Sequence, residues 1–134
     1  LALAGSDPEW TAELRASATP AALSVAERLA AARASFLAAV DFIAASAKRA
    51  PNAAYAGSVP YLMLTGNLVA GWQMGRALLV AQSKLAAGEE TAFMQAKITT
   101  AQFYAEHILV RTAGLREAIV QGGESACALP LEAF

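Results

Sequence analysis

Charge is what this sequence has least of. Acidic and basic residues make up 16% of its 134 positions, against about a quarter in ordinary globular chains. They also nearly cancel, leaving a formal net charge of −1. That excludes the basic footprint of a nucleic-acid binder and the basic stripe of a helix lying on an anionic membrane. It also leaves little repulsion against self-association. Cys127 is the single cysteine, so no intrachain disulfide framework is possible, and a cytoplasmic setting is the default expectation. No strand pattern appears. The chain has neither a phosphate loop ending in Lys-Ser/Thr nor a Gly-x-Ser-x-Gly elbow. It does not begin with methionine, and no basic-then-apolar leader opens it. Residues 1–7 read as a linker or the start of a fragment.

What is present is apolar and helix-forming. Hydrophobic residues make up 57% of the chain. Many are alanines, which favour helix but bury little area each. Asp7-Pro8-Glu9 has the form of a helix start, with a capping acid and a first-turn proline. Trp10 and Leu14 share one face of the short helix that follows, which should stop near Thr19-Pro20. Thr19 can cap the next helix, with Pro20 in its first turn. From Ala21 to Arg49 the seam Val25, Leu29, Ala32, Phe36, Val40 or Ala39, Ile43 and Ala47 steps by three and four. Residues 50–58 hold Pro, Asn and Gly and read as a loop.

The rest of the chain is organised around Val59 to Ala87. This stretch carries one charge before Lys84, Arg76, and is apolar on nearly every side, so it needs cover on nearly every side. Gly88 should end it. Glu89 and Glu90 then open a last long helix running to about Gln121 and closing at Gly122-Gly123. That helix has two apolar stripes, one through Phe93, Phe103, His107 and Val110, the other through Ile98, Ala101, Ala105 and Ile119. Two stripes imply two neighbours. The predicted fold is all-α: an up-down antiparallel bundle of three long helices, each about 40–48 Å at about 1.5 Å per residue, plus a short N-terminal helix. The bundle spans residues 8–123, and residues 124–134 form an irregular tail from which Leu129, Leu131 and Phe134 could dock. No membrane span is expected: the nearest approach, Pro51 to Gly75, is broken by Pro60, Asn67 and Gln73, short of the roughly 20 apolar residues required.

No constellation for chemistry emerges, and no catalytic, cofactor-binding or metal-binding residue is assigned. His107 and Glu106 are adjacent on a helix and so point about 100° apart. With no second histidine and no carboxylate at the next turn, His107 is a poor metal ligand and reads as a structural, hydrogen-bonded side chain. The spacing Gly71-x-x-x-Gly75, with Gly66-x-x-x-Ala70 upstream, lets a second helix approach closely. Arg76 either marks where the helix surfaces or meets a carboxylate or helix terminus in an interface. The residues expected to serve packing and interface are Tyr61, Leu62, Gly66, Leu68, Gly71, Trp72, Gly75, Arg76 and Leu79 on the central helix. Phe103, Tyr104 and His107 join them on the last. Because Tyr61 to Leu79 carries more apolar surface than two neighbours can cover, a second protein surface should complete the core.

Two runs carry a resemblance. The first is Ala56-Gly57-Ser58-Val59-Pro60-Tyr61-Leu62, continuing through Gly66 and Ala70-Gly71-Trp72 to Arg76-Ala77. The second is Ala96-Lys97 followed by Thr100-Ala101-Gln102-Phe103-Tyr104-Ala105-Glu106-His107-Ile108-Leu109. Together they resemble the C-terminal helical domain of bacterial acyl-CoA dehydrogenases, in the large subfamily that includes methylmercaptopropionyl-CoA dehydrogenase. Gln102 departs from the pattern, where a basic residue is common. The resemblance implies a parent flavoenzyme that uses FAD to oxidise the Cα–Cβ bond of an acyl-CoA. It places base and flavin contacts in upstream domains and gives this piece a packing role, against those domains and in a homo-oligomer through the central helix. The alternative is a stand-alone helical interaction and oligomerisation module.

Overall fold

The computed structural model describes residues 9–134. The Asp7-Pro8 helix start lies outside them. The elements are α1 (Glu9–Ser17), α2 (Pro20–Ser46), α3 (Pro51–Ala56), α4 (Ser58–Ala86), α5 (Thr91–His107) and α6 (Thr112–Ala126), with short 3₁₀ turns at Leu109–Arg111 and Leu131–Ala133. No strand occurs among the described residues.

Side-chain ties fix the directions of the long helices. At one end of the α2–α4 pair, Gln82 Nε2 donates to Thr19 Oγ1, and Ser17 Oγ donates to Gln82 Oε1 at 3.1 Å. At the other end Phe36 stacks on Tyr61, ring centroids 5.8 Å apart. Residues early in α2 therefore meet residues late in α4, so the two are antiparallel. The Tyr104 hydroxyl donates to the Asn67 carbonyl at 3.3 Å, and Phe93 shares a groove with Val80, so α5 is antiparallel to α4. The result is an up-down-up bundle in which α2, α4 and the α5–α6 rod all touch one another. Helix α1 lies against α2 and α4, and α3 lies mainly against α6.

The core follows the expected seam of α2: Val25, Leu29, Ala32, Phe36 and Ala39 are buried, while Val40 and Ile43 are half-buried and Ala47 is exposed. Leu64, Leu68 and Leu78 of α4, Leu109 and Ile119 complete it. Each such Leu or Ile contributes roughly 1.5–3 kcal/mol by leaving water. Thr19 caps α2 through the Ala22 N–H at 3.3 Å, with Pro20 in the first turn. Among the described residues, α2 alone is long and apolar enough by length and composition to cross a membrane, in place of the stretch after Pro51. One side of it lines the bundle core, and Glu27, Arg28 and Asp41 are exposed on its other sides.

Four local expectations are corrected. Residues 51–56 are helical, not loop: Pro51 suits a first turn, and the alanines after it favour helix. Glu89 and Glu90 do not open α5. Gly88 at φ 75° and Glu90 at φ 44° reverse the chain in left-handed backbone, Lys84 bridges Glu89 at 3.2 Å, and the helix begins at Thr91. The last long helix is two helices. The ladder breaks at Ile108, and the freed carbonyls are taken up locally: Arg111 Nε donates to His107 O at 2.9 Å and Thr112 Oγ1 to Leu109 O at 2.6 Å. The break turns Leu109 into the core against Gly71, where an added Cβ would lie 2.7 Å from its side chain. Finally, α6 does not stop at Gly122-Gly123 but runs on to Ala126, because Gly123 serves close packing against α3.

Candidate docking face

The twelve residues singled out on α4 and α5 fall into three groups. Leu68, Gly71 and Gly75 point inward. A Cβ on Gly75 would meet Leu14 of α1 at 3.1 Å and Leu29 of α2 at 3.4 Å, so the small-residue stripe admits neighbours within the bundle. Tyr61, Trp72, Leu79 and Tyr104 are half-buried along the margin of the core. Leu62, Gly66, Arg76, Phe103 and His107 face outward.

The outward group sits on a surface larger than itself. On α4, Val59, Leu62, Met63, Gly66, Val69, Gln73, Arg76, Ala77 and Val80 recur every three or four residues and are all exposed. On α5, Phe93, Ala96, Lys97, Thr100, Phe103 and His107 do the same, and Val110 extends the line. Because α4 and α5 are adjacent, these two lines form one face. It holds large side chains that water normally does not meet: Leu62 is 71% exposed, Phe103 57%, Val80 57% and Phe93 54%. The last helical segment does touch more than one neighbour, as its two stripes suggested, but it does so through one of them. The stripe through Ile98, Ala101, Ala105 and Ile119 is buried, and the stripe through Phe93 and Phe103 is solvent-facing. A face of this kind on a small domain is a candidate interaction site.

Gly66 adds a geometric sign. It stands in mid-helix, where glycine costs about 1 kcal/mol relative to alanine, yet an added Cβ would meet nothing within 4 Å. Gly71 and Gly75 are explained by neighbours inside the bundle; Gly66 is not, a property it shares with Gly114 and Gly122 of α6, and of these it is the one on the α4–α5 face.

Position decides the expectation about His107 and shows where Arg76 stands within the domain. His107 is exposed, and its ring stacks on Phe103 with centroids 4.3 Å apart, so it is a surface residue and not a hydrogen-bonded core histidine. Its neighbour Glu106 turns toward α2, accepting from Gln102 Nε2 at 2.9 Å and from Ser24 Oγ at 3.4 Å. Arg76 surfaces: its guanidinium lies 5.5 Å from the Trp72 ring centroid and donates to Gln73 Oε1 at 3.3 Å. Among the described residues no cluster of three His, Cys, Asp or Glu side chains is placed to hold a metal.

The ionisation of Tyr104 is visibly perturbed. Burial holds its pKa above the usual tyrosine value, since desolvation disfavours the phenolate. The unfolded chain therefore ionises first as pH rises, and the stability tied to Tyr104 is intact below about pH 10 and lost above it. We expect Tyr104→Phe to cost about 1 kcal/mol near neutrality through the lost bond to Asn67 O. The same change should flatten the alkaline decline, as checked by urea unfolding at neutral pH and above pH 10.

With this geometry in place, comparison with known proteins identifies the domain. The family described as "acetyl-CoA dehydrogenase C-terminal like" matches residues 10–130. The chain belongs to that family. Among curated relatives, the 3-methylmercaptopropionyl-CoA dehydrogenase of Ruegeria pomeroyi is 50% identical over 105 residues, covering 78% of this chain and 18% of that protein. The broad-specificity linear acyl-CoA dehydrogenase of Mycobacterium tuberculosis is 38% identical over 66 residues, covering 47% of this chain and 11% of that protein. The matched region thus spans under a fifth of the length of either relative.

Acyl-CoA dehydrogenases imply FAD for the parent enzyme. Among the described residues the N-terminus of α2 is occupied by its own Thr19 cap and that of α5 follows Glu90, so neither of these two offers a pyrophosphate backbone N–H groups that are both open and free of acid.

Proposed function

We propose that this domain is a non-catalytic C-terminal part of a FAD-dependent acyl-CoA dehydrogenase, and that its work is packing. The parent would oxidise the Cα–Cβ bond of an acyl-CoA with residues and cofactor held in domains upstream of this one. The outer α4–α5 face would be buried in the assembled enzyme, against those domains or another copy. The observation that carries this reading is that face: exposed Leu62, Phe93 and Phe103 beside a mid-helix Gly66 whose added Cβ would meet nothing within 4 Å among the described residues.

Gly66→Leu tests it in two contexts. In the 134-residue chain alone the leucine meets open space and improves helix propensity, so stability should rise by up to about 1 kcal/mol. In the full-length dehydrogenase the same side chain obstructs the docked surface, and the domain should loosen, read as faster release by limited proteolysis. Equal effects in both contexts would overturn the packing role. Flavin binding or acyl-CoA oxidation by the 134-residue chain alone would overturn the non-catalytic assignment.

A further inference from the structure

Arg76 and Lys97 sit together on the lip of one groove between α4 and α5, with Gln73, Ala77, Val80 and Phe93 around them. The groove holds about 420 Å³. Each cation is steadied by an aromatic ring: Arg76 lies 5.5 Å from the Trp72 centroid, and Lys97 Nζ lies 5.0 Å from that of Phe93. Neither meets a carboxylate among the described residues. The third cation on the groove, Lys84, is already bridged to Glu89. No acidic residue occurs between Asp41 and Glu89, and none occurs from Thr91 to Ala105. Among the described residues Arg76, whose hydrogen bond goes to the neutral Gln73, and Lys97 therefore carry charge on this face with no facing carboxylate, where docking would remove water.

A charge taken from water without a partner is costly. A surface that covers this face must supply carboxylates to Arg76 and Lys97 along with apolar contact. A second copy docked through the same face brings the same cations, its nearest carboxylate there, Glu89, is already bridged to Lys84, and like charges brought together in an interface cost several kcal/mol. The matched relatives are more than five times as long as the region they share with this chain. The polypeptide that would precede this domain is thus the nearest source of such a surface.

We propose that Arg76 and Lys97 form the charged half of a docking interface. Its other half is an apolar surface carrying Asp or Glu on the dehydrogenase-type region preceding this domain, not the α4–α5 face of a second copy. The proposal rests on the packing reading above and specifies its occupant.

Zero-length carbodiimide coupling of the full-length protein, prepared as a mixture of isotopically light and heavy chains, tests it. The expected product joins Lys97 to an Asp or Glu upstream of this domain. Coupling of Lys97 to residues 9–134 of another copy, seen as a light–heavy product, would overturn the proposal in favour of self-association. Absence of any Lys97 product while exposed Lys48 still couples would overturn it as well. A second arm separates this proposal from the reading beneath it. In full-length protein, Arg76→Glu with Lys97→Glu should speed proteolytic release of the domain by about tenfold or more, the factor that corresponds to 1.4 kcal/mol. Arg76→Lys with Lys97→Arg should release near the parental rate. If Gly66→Leu loosens the domain and the charge reversal does not, packing stands and the acidic partner falls. If neither loosens it, both fall.

Discussion

Leu68→Ala should lower the unfolding free energy of this domain by about 2–5 kcal/mol. Leu68 lies in the middle of α4, is 1% exposed, and belongs to the main core cluster. That cluster joins it to Val25, Leu29 and Phe36 of α2, Ala101 and Ala105 of α5, and Leu109, so several helices would have to move together to close a gap. Such a site cannot collapse to fill the space a leucine leaves. The loss is therefore the transfer term for the removed methyls plus the cavity term. In urea, the midpoint should fall while the slope stays constant, since the mutation removes packing and not exposed area. Leu62→Ala provides the contrast. The same residue type, six positions earlier on the same helix, is 71% exposed, and its loss should change the stability of the chain alone by no more than about 0.5 kcal/mol. A large cost at Leu62 in the chain alone, or a small one at Leu68, would mean that α4 is rotated from its described orientation.

That pair of leucines shows how far the sequence could be read. The composition and spacing of Val59 to Ala87 announce a helix with more apolar surface than one side can hide, and the structure contains that helix. They do not say which side faces in, because an all-round apolar helix has no polar stripe to orient it. In α2, charged residues break the symmetry: Glu27, Arg28 and Asp41 stand off the seam, so the buried line Val25, Leu29, Ala32, Phe36 was legible. Thr19-Pro20 was legible too, since cap and proline act through local chemistry alone. The break after His107 was not. No proline or glycine marks residues 107–112, and the reason for the turn is a tertiary one: it brings Leu109 onto Gly71, nearly forty positions away. The short α3 was missed for the opposite reason. Pro, Asn and Gly are loop signals, but Pro51 here occupies a first turn and Gly57 lies just past the last, so the same residues bracket a helix. Among the residues of the docking face, Arg76 and Phe103 stood out by type. Lys97 and Val80 did not, and only the α4–α5 register brings them to one groove. Gly66 looked like one more member of a glycine stripe until its surroundings proved empty.

The glycines also give the sharpest contrast available in this chain, because two adjacent ones should respond with opposite signs. Both Gly122 and Gly123 lie in α6. A Cβ on Gly122 meets nothing within 4 Å. Gly122→Ala should therefore stabilise the domain, by up to about 1 kcal/mol from helix propensity. A Cβ on Gly123 would lie 2.9 Å from the Cβ of Ala53 and 3.0 Å from both its Cα and its carbonyl oxygen. Those are contacts with the main chain of α3 and the stub of an alanine, and none can be relieved by a change of rotamer. The case differs from Gly71, whose crowding atoms are the ends of the Leu109 side chain and can swing by some tenths of an ångström. At Gly123 the helices themselves have to separate. Gly123→Ala should cost about 1–3 kcal/mol, the range for forcing extra volume into a packed site, and Gly123→Val at least as much. The larger residue should also lift α3 from α6, so that residues 51–56 become a preferred site of proteolytic cleavage while the α2–α4 core persists. Urea unfolding of the alanine pair, with limited proteolysis of the valine variant, checks both parts. If Gly122→Ala and Gly123→Ala shift the midpoint in the same direction, the close crossing of α3 over α6 is not where the structure puts it.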